Sequence, residues 1–525
     1  MLRTQRAFRS IRWLAALLLL ALLLPGPPAV AQSDEAFSRP QIRAVLREAF
    51  AAILERHLEA AAPADLALWS VRGLGAVDTE FTGQVRNGVL SLSQGSRPIA
   101  EAPVPGTVQA ALSAQQGIRP PPPAESLAET LSQLYAAAWA ASPALRRAGV
   151  ERLLQAGFDE VFNHLDPYSR YITADEALEV RQRRVGQTGL GLRIAAGPRN
   201  TVLVVALVPD SAASRAGLRE GDILLAIDGV PVTARRLVEA AELLEGPPDT
   251  NVQLDMRRGR QRFSVVLQRA SQGLRSLRAE VQDNVLWIRL NLFSATTTDQ
   301  LIEQLNASLS TATPVRGIVL DLRGNRGGVL MQAMSVADSF LREGVVAQSA
   351  GRHPDAQRIW RAAGSDLAQG RPVVILVDGR TASAAEIVAA ALSDRGRAVV
   401  VGSATLGKGL IQIVIPLPNG AEILISWSRV LAPRGWPVQG LGVIPAICTS
   451  LGLETAQEQL QQLSRGVEPM GAVLARVHQA RAPVPASEVA ALRGACPPAE
   501  GRELDHEVAR FLFDNPAAYA AAIEP

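Results

Sequence analysis

The chain has one lysine, two cysteines and five histidines among its 525 residues. Because the other 52 of its 53 basic residues are arginine, Lys408 stands alone. A GC-rich coding bias accounts for the missing lysines but not for the one that remains. The cysteines, Cys448 and Cys496, and the histidines are far apart in the sequence, so no group of them has the spacing of a metal site. We therefore expect no metal ion and no cofactor.

The sequence also lacks an excess of charge of one sign. Lysine and arginine number 53 against 50 aspartates and glutamates, which gives a formal net charge of +3. Four of the arginines lie in the first 31 residues, which contain no acidic residue, so the remainder of the chain has a net charge of −1. Proteins that bind nucleic acid usually present a basic surface, and we therefore expect no nucleic-acid partner.

Long apolar runs are confined to the N-terminus. Arginines precede an apolar run at residues 13–24, and Ala29-Val30-Ala31 follows, which is the pattern of a secretory signal peptide. Twelve helical residues rise about 18 Å, less than the ~30 Å hydrocarbon core of a membrane. We predict that residues 1–31 are a cleaved signal peptide, with an uncleaved anchor as the alternative. The protein would then be exported to the periplasm or cell envelope without a stable membrane span, where its two cysteines either pair or stay free.

The rest of the chain divides into segments of different pattern. Its hydrophobic fraction of 48% excludes a wholly disordered chain, and its length allows about three or four domains. A proline run separates an N-terminal segment, residues 32–120, from a helical segment, residues 125–182. Strands then alternate with helices over residues 275–450, which is typical of a mostly parallel α/β core. Residues 451–525 are helical and rich in alanine.

Three short stretches of the α/β segment contain residues suited to nucleophilic catalysis. Gly327 and Gly328 follow a predicted strand, and glycines leave backbone N–H groups uncovered for an oxyanion, unless they only form a tight turn. Ser383 begins a predicted helix among small residues, where the helix dipole favours developing negative charge. A simple N-cap is the alternative for this serine. Lys408 lies between two glycines and is either a buried base or part of a surface turn.

A serine nucleophile needs a base, and none of these stretches contains histidine. Arginine stays protonated, whereas lysine can act as a base if burial lowers its pKa from about 10.4. Gln412 lies four positions after Lys408, so in a strand the two would share a face. The amide oxygen of Gln412 could then orient the neutral amine.

Together these stretches resemble the carboxy-terminal processing proteases, also called tail-specific proteases, which are serine peptidases with a Ser-Lys dyad often completed by Gln. The family's Ser-Ala-Ser-Ala-Ser-Glu motif corresponds to residues 381–386, and its lysine, 25 residues after the nucleophile, corresponds to Lys408. The resemblance covers roughly residues 125–450. It implies that Ser383 is the nucleophile, Lys408 the base and Gln412 the third member. It also implies oxyanion donors and supporting residues, namely Gly327, Gly328 and Ala384 as donors, and Glu386, Asp394 and Thr405 as supporting residues.

Residues 185–270 resemble a PDZ domain of the bacterial type. The resemblance rests on the order of strands and turns, including Ala216-Gly217-Leu218 followed by Gly221-Asp222. It implies a groove in which the end of an extended peptide adds as a strand. The groove residues that it implies are Gly189, Leu190, Gly191 and Leu192 in the carboxylate-binding stretch, and Leu237, Ala241 and Leu244 on the helix. The three helix residues are equally compatible with the core of the domain.

The sequence therefore predicts a multidomain α+β protein. Its α/β core would be of the ClpP/crotonase-like class, with an inserted PDZ domain and helical N- and C-terminal regions. The predicted function is that of an exported serine endopeptidase acting on proteins or peptides with apolar C-termini. A non-catalytic PDZ-containing envelope binding protein on the same core and a soluble structural envelope protein are the alternatives. A homo-oligomer or an adaptor protein remains open as a further partner.

Overall fold

The computed structural model of the protein describes residues 37–104, 122–177, 188–207, 211–244, 250–271, 276–310 and 314–523. The predicted signal peptide, residues 1–31, lies outside these ranges. The described residues bury three large hydrophobic cores. None of the described helices is long and apolar enough to cross a membrane.

The N-terminal region combines helices with a three-stranded antiparallel sheet. Its elements are α1 (Arg39–Arg56), α2 (Pro63–Gly73), β1 (Phe81–Arg86), β2 (Val89–Gln94), β3 (Arg97–Pro103), α3 (Pro123–Ala141), α4 (Pro143–Ala148), α5 (Val150–Leu165) and β4 (Arg170–Ile172). Apolar residues from both sides of the proline run share one core, and the ring centroids of Phe50 and Phe158 lie 5.5 Å apart within it. The predicted segments 32–120 and 125–182 therefore do not have separate cores, because the apolar faces of their helices cover each other.

A second unit corresponds to the predicted PDZ domain. Its elements are β5 (Thr188–Gly189), β6 (Leu192–Gly197), β7 (Thr201–Leu207), α6 (Ala212–Arg215), β8 (Ile223–Ile227), β9 (Val230–Pro231), α7 (Leu237–Leu244), β10 (Asn251–Arg258), β11 (Gln261–Gln268) and β12 (Ala270–Ser271). The antiparallel sheet has the order β11-β10-β8-β7-β6, so β6 is an edge strand. Buried Asp222 precedes β8 and accepts two hydrogen bonds of 2.7 Å from Arg258, which fixes the turn before this strand.

The largest core belongs to the predicted α/β segment. Its elements are β13 (Leu277–Gln282), β14 (Val285–Leu290), α8 (Thr297–Leu309), β15 (Gly317–Asp321), α9 (Leu330–Asp338), β16 (Gly344–Ala350), β17 (Arg358–Ala362), β18 (Val373–Val377), α10 (Ala384–Asp394), β19 (Val399–Gly402), β20 (Leu410–Pro416), β21 (Glu422–Leu431) and β22 (Ile447–Cys448). The main sheet has the order β13-β14-β15-β18-β19-β22 and is parallel except for β13. Strands β15 and β18 are buried throughout, as apolar strands between two layers should be. The predicted parallel core is confirmed.

The geometry of parallel strands brings two predicted site loops together. Strands β15 and β18 are parallel neighbours, so their carboxyl ends lie side by side. The loops that follow these ends contain Gly327 and Ser383. A second sheet, with the order β17-β16-β21-β20, contributes the loop before β20, which contains Lys408. The three predicted stretches thus converge from separate parts of the core.

The C-terminal region is helical, as predicted, and packs against the α/β core. Its elements are α11 (Leu453–Ser464), α12 (Gly471–Gln479), α13 (Ala486–Gly494), α14 (Glu503–Asp514) and α15 (Pro516–Ala522). A disulfide joins Cys448 at the end of β22 to Cys496 just after α13. The pairing that the sequence left open is therefore present, and it fastens the C-terminal helices to the edge of the main sheet.

Candidate active site

Ser383 occupies a strained turn between β18 and α10. Its backbone has a φ of 59° and a ψ of −120°, a combination that few residues other than glycine adopt. The turn is held by two hydrogen bonds, one of 2.9 Å from the Ala382 N–H to the Asn325 carbonyl and one of 2.7 Å from the Ser383 N–H to Glu386 Oε2. Ser383 is also the N-cap residue of α10 and forms a capping box with Glu386, so the N-cap alternative and the candidate nucleophile are the same residue.

The glycine loop approaches this serine so closely that no side chain fits. A Cβ at Gly327, whose φ is +95°, would lie 2.8 Å from Ser383 Cβ and 2.9 Å from the Ala384 nitrogen. A Cβ at Gly328, whose φ is +145°, would lie 2.1 Å from the Phe293 carbonyl oxygen. Both positions therefore require glycine, and the loop backbone lies directly against the nucleophile turn, residues 381–386.

The predicted oxyanion donors differ in availability. The Gly327 N–H donates to Asn325 Oδ1 at 2.8 Å, so it is engaged within its own loop. In the described part of the chain, no hydrogen bond occupies the N–H of Gly328 or of Ala384. Ala384 is the first residue of α10, where helix N–H groups have no partner in the helix. The geometry thus favours Gly328 and Ala384 as donors, whereas Gly327 is already bonded to Asn325, which the sequence analysis missed.

One buried carboxylate connects the nucleophile turn to the lysine loop, residues 405–409. Glu386 Oε1 accepts from Thr405 Oγ1 and, at 2.7 Å, from the Gly407 N–H. Its Oε2 accepts from the Ser383 N–H at 2.7 Å and the Lys408 N–H at 2.9 Å. Burial raises the pKa of Glu386, and these four hydrogen bonds oppose that rise. Since both oxygens are filled by donors, the group fits the site as the ionised carboxylate.

The Lys408 side chain is half-buried beside Tyr168. Its Nζ lies 5.1 Å from the centroid of the Tyr168 ring. Burial lowers the pKa of Lys408, repulsion from Arg170 lowers it further, and Glu386 opposes both effects. The net direction is the one that a lysine base requires, because the neutral amine becomes more populated. The contact of Tyr168 with Lys408 was not predicted from the sequence.

Tyr168 belongs to a turn that is organised by a buried acid. Asp166 Oδ1 accepts from the Tyr168 N–H at 2.8 Å, and Asp166 Oδ2 lies 2.9 Å from Nε2 of buried His57. Although burial raises the pKa of Asp166, hydrogen bonds from His57 and Ser169 hold it well below its ordinary value. His57 follows α1, so the N-terminal region supports the turn that covers Lys408.

Gln412 reaches the site by a different route from the one predicted. Lys408 precedes β20, and a register shift lies between Ile411 and Gln412, so the argument from strand alternation does not apply. The side-chain nitrogen of Gln412 instead donates to the Tyr168 carbonyl at 2.6 Å. Its amide oxygen is thereby left as the end that can accept from another group. Its role as third member stays a prediction.

Asp394 lies at the opposite end of α10 from Ser383. The helix is 11 residues long, which puts about 16 Å between the two residues along its axis. Asp394 accepts from Trp436 Nε1 at 3.0 Å and from the Arg434 N–H at 2.9 Å. The implied supporting role is therefore corrected: Asp394 anchors the far end of the helix and does not touch the site.

In the PDZ unit the predicted groove residues fall into two groups. Leu190 and Leu244 are buried, 2% and 8% exposed, and belong to the domain core. Leu237 and Ala241 are half-buried on α7, which packs beside edge strand β6. The strip between β6 and α7 is the edge at which a peptide could add as a further strand. Gly189, Gly191 and Leu192 lie at the start of this strip.

Among the residues that the structure describes, histidines, cysteines and carboxylates form no group that suggests a metal centre. Within the described ranges, no group of three or more such residues is arranged to hold a metal ion. The expected absence of a metal cofactor stays a prediction.

Comparison with known proteins identifies the family. A profile described as Peptidase family S41 matches residues 284–449, and a PDZ domain profile matches residues 203–258. The carboxy-terminal-processing protease of Bartonella bacilliformis is 32% identical over 303 residues, covering 57% of this chain and 69% of that protein. The chloroplastic carboxyl-terminal-processing peptidase 1 of Arabidopsis thaliana is 34% identical over 310 residues, covering 57% of this chain and 63% of that protein.

Among solved structures, a photosystem II D1 C-terminal processing protease is 26% identical, with a TM-score of 0.35, over 61% of this chain and 88% of that chain. The identity and coverage of the first relative define the class: the chain belongs to the carboxy-terminal-processing proteases of serine peptidase family S41, which are hydrolases, and it contains a PDZ domain. The resemblance drawn from the sequence is confirmed.

Proposed function

We propose that the protein is an exported serine endopeptidase in which Ser383 is the nucleophile and Lys408 the general base. The observation that carries the proposal is the double role of the Glu386 carboxylate. One of its oxygens accepts from the backbone N–H groups of both Ser383 and Lys408, at 2.7 and 2.9 Å. Burial of Lys408, which lowers its pKa, is the second supporting observation.

The reaction would follow the usual steps of acyl transfer. Ser383 Oγ attacks the scissile carbonyl carbon while its proton passes to neutral Lys408 Nζ. The oxyanion that forms accepts hydrogen bonds from the N–H groups of Gly328 and Ala384. Collapse of this intermediate breaks the peptide bond, and the leaving amine takes the proton from Lys408. Water, deprotonated by Lys408 in turn, then hydrolyses the acyl-enzyme and restores Ser383.

We further propose that the PDZ unit selects substrates by apolar C-terminal tails. Edge strand β6 and the half-buried residues Leu237 and Ala241 of α7 support this proposal. A tail bound beside β6 raises the effective concentration of its own chain near Ser383. Export is supported by the signal-like pattern of residues 1–31 and by the disulfide between Cys448 and Cys496, a bond typical of oxidising compartments.

The test compares Ser383→Ala with the parent enzyme on an unfolded protein reporter. We expect Ser383→Ala to abolish cleavage while the fold persists, since removing one hydroxyl leaves no cavity of consequence. Ser393→Ala is the matched control, because it removes the same group at the other end of α10. Normal turnover by purified Ser383→Ala would refute the assignment. Binding of the reporter without cleavage by the parent enzyme would favour the non-catalytic alternative.

A further inference from the structure

Arg493 brings a cation from the C-terminal region into the lysine loop. It lies on α13, beyond the residues 284–449 that match the peptidase family. Its Nη1 donates to the carbonyls of Thr405 and Leu441, both at 2.8 Å. A Cβ at Gly442 would lie 2.8 Å from the same nitrogen, so the guanidinium fills the space that this glycine leaves. Arg493 thus joins two backbone segments beside Lys408.

The segment that contains Arg493 is fastened at several points. The disulfide between Cys496 and Cys448 follows α13 directly. The Ala404 N–H donates to the Cys496 carbonyl at 3.3 Å, just before the lysine loop. The Gly379 N–H donates to the Ala499 carbonyl at 2.7 Å, just before the nucleophile turn. Residues 493–499 therefore lie against both loops of the proposed dyad.

The charges around Lys408 give Arg493 a specific task. Glu386 favours the protonated amine, which opposes the action of Lys408 as a base. Arg493 interacts electrostatically with Glu386 and cannot lose its proton at accessible pH. Of the groups that face Lys408 directly, Arg170 on β4 disfavours the ammonium, and the Tyr168 ring lies over Nζ. Arg170 and Arg493 are thus both permanent cations in this region, and Arg493 is the one that interacts with Glu386.

We infer that Arg493 is a positioning residue of this peptidase: it holds the lysine loop in place and balances the charge of Glu386, so that Lys408 can act as a neutral base. This inference rests on the proposed Ser383–Lys408 dyad. It also gives the C-terminal helices a role in positioning Lys408, because Arg493 lies on α13 and the disulfide at Cys496 holds the end of this helix in place.

The single lysine makes a direct test possible. Reductive methylation with ¹³C-formaldehyde labels only Lys408 and the α-amino group, and ¹³C NMR then follows the titration of each. The measurement is made in the Ser383→Ala background, so it requires no activity. We expect Arg493→Gln to raise the midpoint of the Lys408 titration by about one pH unit, because a nearby positive charge is lost. Arg493→Met, which keeps the apolar stem, should do the same.

Activity supplies the second readout. In enzyme with Ser383 intact, Arg493→Gln should shift the acid limb of the pH profile of kcat/KM to higher pH, by the same amount as the Lys408 titration midpoint. At a given pH on that limb, kcat/KM should therefore fall about tenfold. Arg465→Gln, which changes an exposed arginine after α11, is the matched control. An unmoved or lowered midpoint in both folded uncharged variants would overturn the inference. Failure of the dyad itself is recognised separately, by turnover in Ser383→Ala or its absence in the parent enzyme.

Discussion

Replacing Glu386 with glutamine tests whether one buried carboxylate organises the candidate site. Its Oε1 accepts from Thr405 and Gly407, and its Oε2 accepts from Ser383 and Lys408. Glutamine has the same shape but only one oxygen, so its NH₂ group must face one of these two pairs of donors. The NH₂ group should face Thr405 and Gly407, because the Thr405 hydroxyl can turn and accept a hydrogen bond, whereas a backbone N–H cannot.

The expected loss of stability follows from that orientation. The Gly407 N–H would remain buried without an acceptor, which costs about 1–3 kcal/mol. The bonds that remain would no longer be assisted by charge, which weakens each of them by roughly half. We therefore expect Glu386→Gln to lower the free energy of unfolding by about 2–4 kcal/mol. Urea denaturation in the Ser383→Ala background measures this change without self-cleavage.

The same substitution should lower kcat, because Ser383 and Lys408 would lose the partner that their backbones share. Glu458→Gln, at an exposed position of α11, is the matched control and should change stability by less than about 0.5 kcal/mol. An organising role for Glu386 would be refuted if Glu386→Gln matched the parent in both unfolding free energy and kcat/KM. A loss of stability with unchanged kcat in the folded fraction would limit Glu386 to a structural role.

Further predictions concern Lys408, the disulfide and the PDZ unit. Lys408→Arg should be inactive because guanidinium cannot act as a base. The activity of the parent enzyme should rise with pH as Lys408 loses its proton, and burial lowers the pKa at which this happens. An activity maximum below about pH 6 would contradict a lysine base. Replacing Cys448 and Cys496 with serine should lower the free energy of unfolding by about 4 kcal/mol, since their disulfide closes a 48-residue loop; urea denaturation without any change would contradict this. A reporter with an apolar tail should show a lower KM than the same chain ending in aspartate, and Leu237→Asp should remove the difference; equal KM values in the parent would contradict tail selection.

Much of the fold could be predicted because the relevant patterns are local. Strands β15 and β18 are continuous apolar runs, and such runs alternating with helices predict a parallel core. Parallel order then brings the loops with Gly327 and Ser383 to one edge of the sheet. The spacing from Ser383 to Lys408 led to a loop beside a different sheet, and the structure joins this loop to Ser383 through Glu386, while the role of Lys408 stays a prediction.

The errors came from geometry that one stretch of sequence does not determine. The register shift before Gln412 depends on how β20 pairs with β21, so alternation counted from Lys408 gave the wrong reason for its position. The occupied Gly327 N–H depends on the fold of its own loop, which puts the Asn325 amide within 2.8 Å. Asp394 is different, because a helix that begins at Ser383 and continues to residue 394 puts the two residues about 16 Å apart, so this distance could have been foreseen.

The contacts that no local pattern could reveal join the terminal regions to the surroundings of Lys408. Tyr168, whose ring lies 5.1 Å from Lys408 Nζ, belongs to a turn that His57 of the N-terminal region supports through Asp166. Arg493 approaches the lysine loop from the C-terminal side. A lysine base must be partly shielded from water and must not be held as a cation by a neighbouring acid. In this proposal the N-terminal region supplies the shielding ring and the C-terminal region supplies the balancing charge, so the environment of Lys408 depends on elements outside residues 284–449, which match the peptidase profile.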